Sequence, residues 1–183
     1  MEQKHNIILY GKENIGKTST LMHLTLLLSG IGSTHSAWDS KSERFIYKGN
    51  KLLDARFAIN YKSKLVFIAT GGDNWEICKV NYNFFSGIIP GNMKIYGIDK
   101  TTGVFEIDNA KFRTNKKEIV IVPDISISAC RPEGDRYGAI KSVHSYSEDI
   151  LGKLSQQLWI QKYPDMDSLM LAKKLQSIID GLL

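Results

Sequence analysis

Gly11, Gly16, Lys17 and Thr18 stand in fixed order within Gly11-Lys12-Glu13-Asn14-Ile15-Gly16-Lys17-Thr18, with Ser19 following. A glycine, four residues of any type, a second glycine, a lysine and a hydroxyl residue form a loop suited to binding phosphate. The glycines let the backbone turn its N–H groups inward, and a helix beginning at the lysine adds the positive end of its dipole. Lys17 supplies a mobile ammonium, and the Thr18 hydroxyl can take one position on a magnesium ion. From average residue usage, this pattern falls by chance in about one chain of this length in a hundred.

Such a loop needs a strand before it and a helix after it. Asn6-Ile7-Ile8-Leu9-Tyr10 is an apolar run of strand length, and Leu21, Leu24 and Leu28 recur at helical spacing before Gly30. The order is therefore strand, glycine loop, amphipathic helix. Residues 29–42 are rich in Ser, Gly, Thr and His and read as a long exposed connection. Residues 55–61 and 64–70 are strand candidates separated by Lys62-Ser63, short enough for an antiparallel hairpin.

Farther along, Ile77, Val80, Phe84 and Phe85 predict a helix over residues 74–86, stopped by Gly87 and Pro90. Residues 93–112 read as a second hairpin, inserted on the core, with Lys100-Thr101-Thr102-Gly103 as its turn. Ile119-Val120-Ile121-Val122 is the β-branched run expected of a strand buried on both faces. Residues 157–161 give a further strand, and Leu171, Leu175, Ile178, Ile179 and Leu182 a C-terminal amphipathic helix opened by Pro164-Asp165. With no internal repeat or linker, the expectation is one α/β domain over residues 1–183, a mostly parallel sheet flanked by helices.

Composition narrows the function classes. The chain has 183 residues, 43% of them apolar, and no uninterrupted apolar stretch long enough to span a membrane. The opening residues carry too short an apolar run for a secretory signal, and Cys78 and Cys130 show no paired spacing. A soluble, cytoplasmic protein is the expectation. The net charge of +5 comes from scattered basic residues, with no basic run or stripe, which argues against a nucleic-acid partner. His5, His23, His35 and His144 lack metal-ligand spacing, and Cys130 reads as a small buried residue.

The stretch Gly11 to Thr18, between its strand and helix, resembles the Walker A motif of the P-loop NTPase superfamily. The resemblance implies a P-loop sheet that binds a nucleoside triphosphate on residues 11–19, with Lys17 on the β- and γ-phosphates and Thr18 on Mg²⁺. It also implies a carboxylate at the end of a neighbouring strand. Asp73, after Thr70-Gly71-Gly72, is the expected magnesium acid because glycines permit close approach of backbone to ligand, and Asp124 is the alternative. Ala69-Thr70-Gly71-Gly72 resembles the glycine-rich second motif of shikimate-type kinases, and the hairpin over 55–70 resembles the second and third strands of small GTPases.

The stretch Asn115-Lys116-Lys117-Glu118 precedes its strand and ends in glutamate, so it reads as a charged turn and ATP is expected over GTP. Arg131 and Arg136 follow the strand ending at Val122, on the edge where loops of such a sheet meet ligand. Arg131, nearer that strand, is the expected stabiliser of charge on a transferring phosphoryl group, against the plainer reading of a surface arginine. The expected activity is MgATP hydrolysis or phosphoryl transfer to a small-molecule or protein acceptor, with Lys17, Asp73 and Arg131 as catalytic residues. The alternatives are a nucleotide switch that reshapes residues 29–42 or 93–112 for a protein partner, and a phosphate-ligand binder without turnover.

Overall fold

The computed structural model describes residues 4–30, 47–48, 51–52, 54–72, 74–87, 89, 92–99, 103–108, 122–132 and 155–183. In chain order the elements are β1 (Lys4–Tyr10), α1 (Lys17–Leu28), β2 (Tyr47–Lys48), β3 (Lys51–Leu52), β4 (Arg56–Tyr61), β5 (Lys64–Ala69), α2 (Trp75–Phe85), β6 (Tyr96–Asp99), β7 (Gly103–Glu106), β8 (Ile125–Cys130), β9 (Ser155–Gln161) and α3 (Ser168–Leu182). Seven strands form one sheet in the order β7-β6-β4-β5-β8-β1-β9, and β2 pairs with β3 separately. The pairs β1/β8, β1/β9, β5/β8 and β4/β6 are parallel, whereas β4/β5 and β6/β7 are antiparallel hairpins. The architecture is α/β, with a mixed, mostly parallel sheet and three helices among the described residues.

Alternation along the strands sorts the core into two faces. Ile7, Leu9, Val66, Ile68, Ile125 and Ile127 pack against α1 and α3, whereas Ile8, Phe67, Ala69 and Cys130 pack against α2. Each fully buried Leu, Ile or Phe contributes roughly 1.5–3 kcal/mol of transfer free energy, which fixes the helices against the sheet. Phe67 stacks on Phe84 with ring centroids 4.3 Å apart, tying α2 to β5. The β4–β5 turn places Lys62 at φ 49 and Ser63 at φ 65, the left-handed pair of a two-residue hairpin turn. No helix among the described residues is long and apolar enough to cross a membrane.

Several elements differ from the sequence expectation. The strand beside β1 is β8, one residue past Asp124, and every residue of Ile125–Cys130 is buried. Val122 lies outside any strand and is 38% exposed, while residues 119–121 lie outside the described residues. Two serines hid β8, and at least one is satisfied inside: Ser126 Oγ donates to Asn6 Oδ1 at 3.1 Å, and Asn6 Nδ2 donates to the Tyr82 hydroxyl at 3.4 Å. The second hairpin joins the main sheet through the pairing of Phe57 with Tyr96. Helix α1 is buried around most of its circumference, where one apolar stripe was expected. Asp167, rather than Pro164-Asp165, caps α3, accepting from Met170 N at 2.8 Å. The connection over 31–42 and the hairpin end over 109–112 lie outside the described residues.

Candidate functional site

Strand β1 delivers the chain to the glycine loop at the edge of the sheet where the parallel strands end. The Gly11 N–H donates to Cys130 O at 3.2 Å, and Lys162 N–H donates to Tyr10 O at 2.8 Å, so neighbouring strands anchor the loop on both sides. Asn14 at φ 56 and Gly16 at φ 87 take left-handed backbone conformations that turn the chain into α1. Gly16 is the N-cap and offers no side chain, and the first turn of α1 carries no acidic residue. The helix therefore presents its N–H groups and dipole to the loop without a competing carboxylate.

Lys17 lies within this loop. Its Nζ donates to Gly11 O at 2.8 Å and to Lys12 O at 2.6 Å, and the residue is only 7% exposed. The mobile ammonium expected from the sequence is here held by two carbonyls of its own loop. Thr18 Oγ1 donates to Thr70 O at 3.3 Å, bringing the start of α1 to the end of β5. A hydroxyl that donates its proton keeps its lone pairs for a metal, so this arrangement fits a magnesium ligand. Ser19 is half-buried in the same turn.

Arg131 follows the last residue of β8 and is 4% exposed. Its Nη2 pairs with Glu13 Oε1 at 3.0 Å, joining the β8 end to the tip of the glycine loop. Arg131 thus lies beside the glycine loop, following β8 and not the run ending at Val122. Cys130, next to it, has its thiol pushed up to about 12 by burial, with Cys78 adding to the effect and Lys17 opposing it, so it stays a neutral thiol. Asp73 and Arg136 lie outside the described residues.

Asp124 is corrected as a magnesium acid. It stands before β8, at the opposite edge of the sheet from the loop, where Lys4 Nζ donates to its Oδ1 at 2.9 Å and Leu65 N–H to its Oδ2 at 2.8 Å. Burial alone would raise its carboxyl, but the Leu65 N–H, Lys4 and the charge of Lys64 outweigh that and hold it below the ordinary value. A lowered folded-state pKa gives stability that is present above the unfolded value, about 3.9, and is lost as pH falls through the folded one. Asp124→Asn is expected to cost about 1–2 kcal/mol at neutral pH, and much less at an acid pH below the lowered folded-state value. Urea melts at the two pH values measure this.

The glycines before Asp73 also serve the packing of the sheet edge. A Cβ on Gly72 would run into the Ala129 carbonyl, so the close approach is between two segments of protein backbone. Gly72→Ala is expected to destabilise by about 1–3 kcal/mol through overpacking, measured as a lowered urea midpoint.

Sequence reasoning missed Lys162 and Ser168. Lys162 is 2% exposed at the end of β9, and its Nζ donates to Met166 O at 2.6 Å. Burial lowers its pKa, with Asp167 and Asp165 opposing. A Cβ on Gly16 would lie 2.8 Å from Ser168 Oγ and 3.3 Å from Lys162 Cε, so both residues pack against the glycine loop. Nothing local marks them, because a lysine after a strand reads as solvated.

What the fold and site define is an α/β chain whose mostly parallel sheet ends at a glycine loop closed around a lysine. Comparison with family models, with curated proteins and with solved structures gives no match.

Proposed function

We propose that the chain binds ATP with Mg²⁺ on residues 11–19 and uses it for hydrolysis or for phosphoryl transfer to an acceptor. The observation that carries this reading is the Lys17 ammonium, enclosed by the Gly11 and Lys12 carbonyls at the uncapped start of α1. An anion bound by the loop N–H groups would meet that ammonium directly. When bound, the magnesium nucleotide supplies an electrophilic phosphoryl group. Lys17 exchanges carbonyl partners for phosphate oxygens, and Thr18 offers its hydroxyl lone pairs to the metal while still donating to Thr70 O. Asp73 is proposed as the acid that completes the magnesium shell, from its place in sequence after Gly72. Arg131 is proposed to stabilise charge on the transferring group, because β8 carries it to the side of the loop.

A nucleotide switch is the second reading, and the Glu13–Arg131 pair favours it. Phosphate near Arg131 would compete with Glu13 for the guanidinium, so occupancy would alter the contact between loop and strand end. Calorimetric titration with MgATP and MgGTP, followed by phosphate-release assays, tests both readings. Saturable binding with ATP preferred supports the nucleotide site, and turnover separates enzyme from switch. Absence of binding by either nucleotide at millimolar concentration removes both readings.

A further inference from the structure

A cavity of about 550 Å³ opens between α2 and the first residues of β4 and β6, lined by Asp54, Arg56, Val80, Met93, Lys94 and Tyr96 among others. Its position follows from strand directions. Strand β4 runs antiparallel to β5, and β6 runs parallel to β4, so the starts of β4 and β6 lie at the edge where β5, β8 and β1 end. The cavity thus shares the sheet edge that carries the glycine loop. One residue joins the two: Thr70 Oγ1 accepts from Ala55 N at 2.9 Å, Thr70 N donates to Ala55 O at 3.0 Å, and Thr70 O accepts from Thr18.

Arg56 is the feature that calls for a ligand. Its Nε donates to Asn81 Oδ1 at 2.9 Å, and Asn81, 1% exposed, donates through Nδ2 to Gly71 O at 2.7 Å. One edge of the guanidinium is therefore fixed by a buried amide that is itself fixed on the β5 end. Asn81 is the side-chain hydrogen-bond partner of the Arg56 guanidinium among the described residues, and Asp54, on the same cavity wall, is its charge neighbour, with which an incoming anion would compete. Burial lowers the Arg56 pKa, with Asp54 opposing, yet a guanidinium stays charged at neutral pH. A half-buried, oriented guanidinium matches the two oxygens of a carboxylate or phosphate. Lys94 adds positive charge at the rim, where it pairs with Glu106 at 3.3 Å. Val80, Met93 and Tyr96 supply apolar wall for the body of a small molecule.

We propose that this cavity is a second binding site, for a small molecule whose phosphate or carboxylate group is held by Arg56. The site itself stands on the cavity and Arg56; its role as the acceptor site rests on the phosphotransferase reading above. The acceptor would then be a small oxyanion-bearing metabolite rather than a protein.

The probes are inorganic phosphate and acetate, titrated separately into the isotope-labelled 183-residue chain, with the Arg56 Nε–Hε signal and the Val80 and Met93 methyl signals followed by NMR. Saturable shifts at these three residues are expected, with a midpoint of about 1–10 mM for the better anion. The anion with the lower midpoint identifies the preferred group. Lys17→Ala is expected to leave these shifts intact, whereas Arg56→Met abolishes the methyl shifts. Val80→Glu, at a partly exposed helical position, keeps the fold and raises the midpoint at least about tenfold by placing a competing carboxylate at the mouth. Shifts confined to the glycine loop and lost in Lys17→Ala overturn the cavity site while sparing the nucleotide reading. Shifts at Arg56 alongside failed nucleotide binding support the cavity while the nucleotide reading falls. Methyl shifts that persist in Arg56→Met, or no saturation with either anion, also overturn it.

Discussion

Lys17→Ala is expected to weaken MgATP binding by about 100-fold, the size of one lost charge-assisted interaction of about 2–3 kcal/mol. The ammonium contributes to binding only what phosphate offers beyond the Gly11 and Lys12 carbonyls it already contacts. Two formal charges meeting where an uncapped helix start adds its dipole make that difference favourable. The substitution also has a folding cost. Lys17 is buried, so its loss strands two carbonyl acceptors and lowers stability by about 1–2 kcal/mol. The affinity measurement therefore belongs well below the thermal midpoint, with a urea melt of the same sample to show that the variant is folded. Equal affinity in a folded Lys17→Ala variant would remove the phosphate-cradle reading.

Elements whose signal is local were legible in the sequence. Ile7, Ile8 and Leu9 announce β1, the two-residue Lys62-Ser63 gap announces the β4–β5 hairpin, and the spacing of Ile77, Val80 and Phe84 announces α2, whose start the Asn74 side chain caps by accepting the Ile77 N–H at 2.9 Å. Strand β8 was not legible, because Ser126 and Ser128 look solvent-bound until Asn6 from β1 is placed beside one of them. The β-branched run Ile119 to Val122 carries the stronger local strand signal, and of it only Val122 lies among the described residues, outside any strand.

The site divides in the same way. The glycine loop is contiguous, so spacing alone exposed it. The Glu13–Arg131 pair, the Thr18–Thr70 bond and the Lys162 and Ser168 contacts at Gly16 join residues distant in the chain. They exist because β8 and β9 flank β1, and strand order is a property of tertiary packing that no local pattern encodes.

Arg131→Ala is expected to lower kcat for ATP turnover by about 10³, with the Kd for MgATP changed less than about threefold. The argument rests on place and on burial. Arg131 emerges from β8 beside Gly11, and its guanidinium is within 3.0 Å of a carboxylate on the loop tip. A buried charge paired with an exposed carboxylate is costly to hold, which suits a group used when negative charge develops nearby. If it acts on the transition state, kcat and kcat/KM fall together; if it only shapes the loop, KM rises and kcat holds. Glu13→Gln separates these roles, since it releases the ion pair and leaves the guanidinium in place. Turnover at or above the parent level in Glu13→Gln, beside the large loss in Arg131→Ala, assigns the effect to the guanidinium itself. Arg136→Ala is expected to cost less than Arg131→Ala. Parent-level hydrolysis in Arg131→Ala would leave the pair with Glu13 as a structural tie across the sheet edge.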